Sequence, residues 1–140
     1  MNPIKQLAVT MLLPFAAFSQ EVNSDLTYFV GKQLKPAVLH EQADYKIRLS
    51  DLEAAPYIQL IYKNHDYAVT GYTVSIMSRR LAKVVGQLKQ QQGSLAENAA
   101  RMDYHLASGD RIFIDDLNAT CPKCTDEKNI TTKGLAILIE

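Results

Sequence analysis

Two cysteines separated by two residues, Cys121-Pro122-Lys123-Cys124, are the sharpest chemical signal in the chain. Such a pair can cycle between dithiol and disulfide when its first thiol follows a strand and sits at a helix N-terminus, because the helix dipole stabilises the thiolate. The surroundings point elsewhere. Strands are expected over 111–119 before the pair and 133–139 after it, which places the motif in a surface hairpin loop. Zinc takes about four ligands, and the three histidines, His40, His65 and His105, have no ligand spacing to the cysteines. In an oxidising compartment a structural disulfide between Cys121 and Cys124 is the leading reading. Thiol redox activity and metal binding stay open as alternatives.

Asp110, Asp115 and Asp116 form the only acidic cluster. As general acid and base they would need a facing partner in a cleft, and as calcium ligands a loop of alternating oxygens rather than a strand. Structural roles are the simpler expectation. Asp110 would start a strand after Gly109, and Asp115 and Asp116 would mark where that strand leaves the core. His65 in a turn and His105 on a helix read as surface residues, and Ser50, Ser94 and Ser108 lack the strand-to-helix elbow of a serine nucleophile. Asn118-Ala-Thr120 and Asn129-Ile-Thr131 match the glycosylation acceptor pattern, which is incidental in a bacterial protein. No catalytic residues, metal ligands or cofactor are therefore expected.

The elements that would position these residues centre on 93–119. Ser94 and Glu97 form a capping box, Leu95, Ala99, Met102 and Leu106 fall on one helical face, and Gly109 suits the left-handed position that closes a helix, so a short α-helix is predicted over about 94–107. From Arg111 the period becomes two, with Ile112 and Ile114 on one face and Phe113 on the other. The same alternation predicts strands at Leu26–Val30, Tyr45–Leu49, Tyr57–Tyr62 and Tyr72–Ser78, with a turn at Asn64-His65-Asp66. Ser50 to Pro56 could start a helical turn, which proline ends. Residues 81–88 fit helix or strand. A strand pairing with 72–78 is favoured, because Gly86 within a helix costs about 1 kcal/mol against alanine. Gln90 to Gln92 reads as a loop. Leu135–Ile139 is apolar on both faces, as in a strand covered on both sides.

Composition bounds the function. The opening MNPIKQLAVTMLLPFAAFSQ places one lysine before an apolar run ending in Ala17-Phe18-Ser19, a secretory signal with small residues where the peptidase reads. Cleavage after Ser19 leaves one domain, residues 20–140, of 121 residues, with 14 basic and 15 acidic side chains. No concentrated basic excess suggests nucleic acid, and no stable membrane span is expected after cleavage.

Tyr67-Ala-Val-Thr-Gly-Tyr-Thr-Val74, the helix after Gly93, the run Gly109-Asp-Arg-Ile-Phe-Ile-Asp-Asp-Leu-Asn-Ala119, Pro122 and the closing strand resemble, in order and spacing, the C-terminal domains of the gliding-motility protein GldM family of Bacteroidota. The resemblance covers roughly residues 44–139, and the Gly109–Ala119 run is its most specific part. It implies a mainly β, immunoglobulin-like β-sandwich in the periplasm, near the type IX secretion and gliding machinery. The motor role is not carried over, since this chain lacks that family's membrane helix and helical first domain. The family offers no catalytic residues to transfer.

The expectation that follows is a non-enzymatic, periplasmic or secreted interaction or scaffold module, contacting envelope proteins through the exposed strand edges 27–30 and 81–88. Tyr57, Tyr62 and Tyr72 are the candidate contact residues wherever they lie exposed. A thiol-redox protein using Cys121 and Cys124, or a purely structural domain, are the other readings.

Overall fold

The computed structural model describes residues 20–22, 25–38, 42–54 and 57–140. Residues 1–19, read from the sequence as a secretory signal, lie outside these residues, as do His40 and Pro56. In chain order the elements are β1 (Gln20–Val22), β2 (Leu26–Val30), β3 (Lys32–Gln33), β4 (Lys35–Pro36), β5 (Tyr45–Ile47), α1 (Leu49–Ala54), β6 (Ile58–Tyr62), β7 (His65–Ser78), β8 (Lys83–Gln91), α2 (Leu95–Arg101), β9 (Arg111–Thr120), β10 (Asn129–Thr132) and β11 (Leu135–Ile139). The fold is mainly β, with two short helices rather than the one expected.

Two long antiparallel strands, β7 and β9, form its spine. At one end β8 joins the outer side of β7, and β11, β5 and β4 continue beyond β9. At the other end β6, β2 and β3 extend from the same edge of β7 that β8 uses, while β10 and β1 extend from β9. The curled sheet thus folds into two layers that share their central pair, a sandwich-like arrangement. Both spine strands change phase at the bend. Tyr67 faces inward in the first part of β7 and Tyr72, Val74 and Ile76 in the second, while Ile112 and Ile114 give way to Leu117 and Ala119 in β9. The register slips around Gly71, and Asp116 opposite adopts φ 51, a left-handed geometry that aspartate tolerates. Gly71 leaves room for the Gln90 side chain, whose Oε1 would sit 3.1 Å from a Cβ there. β9 therefore bends at Asp115-Asp116 instead of leaving the core, and a strict alternation through these residues could not anticipate it.

Four local differences from the sequence reading have physical causes. β5 stops at Ile47 and α1 begins at Leu49, because Leu52 is fully buried and Asp51 in the first turn pairs with Arg48 Nε (3.2 Å) and Lys32 Nζ (3.4 Å). The β6–β7 turn is Lys63-Asn64, both with positive φ, so His65 and Asp66 are strand residues paired with Tyr62 and Ile61. Gln90 and Gln91 extend β8 instead of forming a loop, with Gln91 opposite Tyr72 and Gln92 Nε2 donating to the Thr70 carbonyl (3.1 Å). α2 ends at Arg101, since Asp103 (φ 56) closes it with bonds from its own N–H to Ala100 O and from Tyr104 N–H to Ala99 O, the pairing of a Schellman motif. Gly109 is not the helix stop.

The predicted capping box is present, with Glu97 N–H donating to Ser94 Oγ (3.0 Å) and Ser94 N–H to Glu97 Oε1 (2.8 Å). These bonds to Ser94 hold the Glu97 carboxyl below its usual range. The strand expected at 81–88 is β8, paired with Tyr72–Ser78. β11 runs Leu135–Ile139 with Leu135, Ile137 and Ile139 buried and Ala136 and Leu138 half-buried, so its outer face is less covered than expected.

Candidate interaction site

The cysteines form a disulfide, with S–S 2.12 Å and Cα–Cα 5.4 Å, in a turn where Cys124 N–H donates to Cys121 O (3.0 Å). The sulfur-bearing residues are buried and only Pro122 and Lys123 reach solvent, so the clip faces the core rather than lying on the surface as expected. The pair follows the end of β9 and leads to a loop, with no helix N-terminus beside it. Farther along that loop, Glu127 (φ 50) ties it to the β6–β7 hairpin. Its carboxylate accepts from Tyr62 Oη (2.9 Å) and Lys63 Nζ (2.7 Å), and its carbonyl accepts from Tyr67 Oη (2.6 Å). The Lys63 hydrogen bond holds the Glu127 carboxyl below its usual range, and Glu127 raises the Lys63 ammonium.

Asp110 is buried at the other end of β9. Its Oδ1 accepts from Arg79 N–H (2.9 Å), and its Oδ2 accepts from Ala107 N–H (2.9 Å) and Tyr104 Oη (2.7 Å), with Ser78 Oγ 2.8 Å from the same phenol. Burial pushes the Tyr104 phenol up. The arrangement ties the β7–β8 turn, the loop after α2 and the start of β9 together, as a carboxylate does when local donors saturate it. Gly109 beside it has φ +95, and a Cβ there would collide with the Arg79 side chain at Cδ. Asp115 and Asp116 are exposed at the bend, away from Asp110, so the acidic cluster is divided into a buried anchor and two bend residues. His65 is exposed on β7, and His105 is exposed in the loop after α2 rather than on the helix as expected. Among the described residues no group of three or more His, Cys, Asp or Glu could hold a metal ion, and no described helix is long and apolar enough to cross a membrane. Asn118 is half-buried, accepting from Thr131 Oγ1 (2.7 Å), whereas Asn129 is exposed.

Of the three candidate contact tyrosines only Tyr57 is available, at 57% exposure. Tyr62 (5%) and Tyr72 (1%) point into the core and present no contact area. Tyr72 Oη donates to the Gly93 carbonyl (2.8 Å) and accepts from Asn98 Nδ2 (2.7 Å), and burial pushes its phenol up to about 12. Tyr57 lies on an open cleft of about 1010 Å³ where β6 and β7 diverge, bordered by Phe29, Ile61, His65, Val69 and Lys123. The buried Asn98 was missed because asparagine is usually a polar-face residue. Its signal was positional: it shares the i, i+3, i+4, i+7 face of Leu95, Ala99 and Met102. Glu127 carried no sequence signal, since its partners are 60 to 65 residues away, and Tyr104 none, since it lies on the loop after α2 and reaches Ser78 26 residues away as well as the nearby Asp110.

The second surface feature is β8. It pairs with β7 and, among the described residues, with no other strand, so one side of a nine-residue strand is left as an edge. Leu81, in the turn before it, and Val84, at its start, are 44% and 51% exposed. Register shifts around Thr73 and Val85 interrupt its ladder, and Gln90 takes φ 48. The other expected edge, 27–30, is shorter and partly covered, because β3 pairs with Phe29 and Val30. No protein-family model, no curated protein and no solved structure matches the chain.

Proposed function

We propose that this chain is an exported, non-enzymatic module of the bacterial cell envelope that acts by contact with another envelope protein. The observation that carries the reading is the unpaired edge of β8, with Val84 exposed on it and Leu81 exposed in the turn that leads into it. A strand edge presents unsatisfied N–H and C=O groups and is a template for an added strand. The amphipathic opening of the sequence supports export, and the resemblance to GldM C-terminal domains supports an immunoglobulin-like module near the secretion and gliding machinery. The residues with chemical potential are taken up in structural work: Asp110 by three donors, and Cys121 and Cys124 by each other in a buried turn. That placement disfavours the thiol-redox reading, since a redox pair presents its first thiol to substrate.

The test is site-specific photo-crosslinking in the native envelope, with a photoreactive residue at Leu81 or Val84 and, as controls, at the exposed Glu53 and Lys133. Adducts of one discrete mass from 81 and 84, absent from 53 and 133, are expected. Equal labelling from all four positions, or none from the β8 pair, would refute contact at this edge.

A further inference from the structure

We infer that the segment received by the β8 edge is acidic: an extended strand of a partner protein carrying Asp or Glu, alternating with apolar residues. This deepens the interaction reading above and rests on it. From Arg79 to Ala96 the chain carries Arg79, Arg80, Lys83 and Lys89 and no Asp or Glu. Arg80, Lys83 and Lys89 are exposed, and Arg101 Nη1 sits 3.1 Å from Gln91 Oε1, adding a cation at the far end of the strand. The carboxylates of neighbouring elements lie off this strand, Glu97 on α2, Asp103 in the turn after it and Asp116 on β9, while Asp44 and Asp115 stand across the cleft that Val84 and Gln87 line at mid-strand, so the cations that lie clear of any carboxylate are those toward its two ends. A chain with net charge 0 has therefore placed one sign along the longest open edge among its described residues. Opposite charges on adjacent strands stabilise a pairing and like charges oppose it.

The same charges disfavour a second copy as the occupant. Antiparallel self-pairing of β8 about Gly86 sets Lys83 against Lys89 on both sides of the axis. The ladder irregularities further protect the edge from indiscriminate pairing, as bulges and lysines do on natural edges. Exposed Val84 and Leu81, between cations, supply the apolar positions that an alternating partner would cover.

The probes are fluorescein-labelled octapeptides of alternating Glu-Val and Lys-Val, with a Glu-Val version N-methylated at alternate residues, titrated into the mature chain and followed by anisotropy and backbone amide shifts. The Glu-Val peptide is expected to bind with shifts confined to β8 and its flanks, and to weaken about tenfold between low and about 1 M salt. The N-methylated peptide should not bind, because it cannot complete a ladder. In the Arg80→Glu/Lys83→Glu/Lys89→Glu variant the preference should turn to Lys-Val; these side chains are exposed, so thermal melting is expected to stay near that of the parent chain. Equal binding of both peptides at β8 would overturn the acidic partner while leaving strand addition standing. Binding of the N-methylated peptide as tightly as its parent, or no β8 shift with any peptide, would overturn both.

Discussion

The two ends of β9 hold their loops in opposite ways. At its start a buried carboxylate, Asp110, gathers the Arg79 and Ala107 amides and the Tyr104 phenol; at its end the Cys121–Cys124 bond closes a four-residue turn, and Glu127 ties the following loop to Tyr62, Lys63 and Tyr67. The covalent link is the stronger bond, yet it is expected to contribute less to stability. A disulfide acts mainly on the unfolded chain, and a ring this short removes little entropy. Asp110 acts on the folded state, where each donor it leaves behind would be desolvated without a partner. The lesson is that the position of an anchor in the core matters more than the strength of its bond.

The largest effect is expected at the first anchor. Asp110→Ala should lose about 4 kcal/mol in urea unfolding, because two backbone amides lose their acceptor and the Tyr104 phenol keeps only Ser78 Oγ. Asp110→Asn, which keeps one acceptor oxygen, should lose less. If the two substitutions cost the same and under about 1 kcal/mol, the anchor is not what holds the start of β9.

Alkaline pH probes the tyrosine network between the two ends. Tyr72, with its phenol raised to about 12, favours the folded state fully below the ordinary tyrosine value of about 10 and loses that contribution as pH rises through about 12. Tyr28, Tyr45, Tyr67 and Tyr104 are raised in the same direction, chiefly by burial. Stability should be level up to about pH 10 and then fall, with Tyr72 accounting for about 2 kcal/mol. Tyr72→Phe should flatten the fall, read from fluorescence-monitored unfolding across that range; an unchanged slope would count against the assignment.

At the second anchor, Cys121→Ala/Cys124→Ala should unfold cooperatively with a loss of about 2 kcal/mol, roughly half that of Asp110→Ala. A double variant that fails to fold would reverse the comparison. The smallest effect belongs to Glu127→Gln, where faster amide exchange confined to 121–128 and the β6–β7 hairpin is expected, with global stability little changed. Exchange that quickens throughout β9 would show that the loop supports the spine as well.

The legible part of this fold was local. β-prone runs bounded by turn residues marked β2, β6 and β11 almost to the residue, and Gly86 with its β-branched neighbours marked β8, which starts two residues later and ends three residues later than the stretch read for it. Ser94 and Glu97 announced the start of α2 because a capping box is completed within four residues. The cysteine pairing followed from proximity in the chain and an oxidising setting, and the open edge at β8 from its lysines and Gly86.

Tertiary structure decided the rest. The end of α2 is set by Tyr104 turning inward to reach Asp110, and closure at Asp103 needs no glycine when the next residue is drawn into the core. The burial of Tyr62, Tyr72 and Asn98 depends on partners 65, 21 and 26 residues away. The bend at Gly71 and Asp116 shifts the phase of two strands at once, which lets one pair of strands belong to both layers. Sequence pattern reports what each residue's neighbours along the chain require, whereas phase changes and buried polar anchors arise only when distant segments compete for the same interior space.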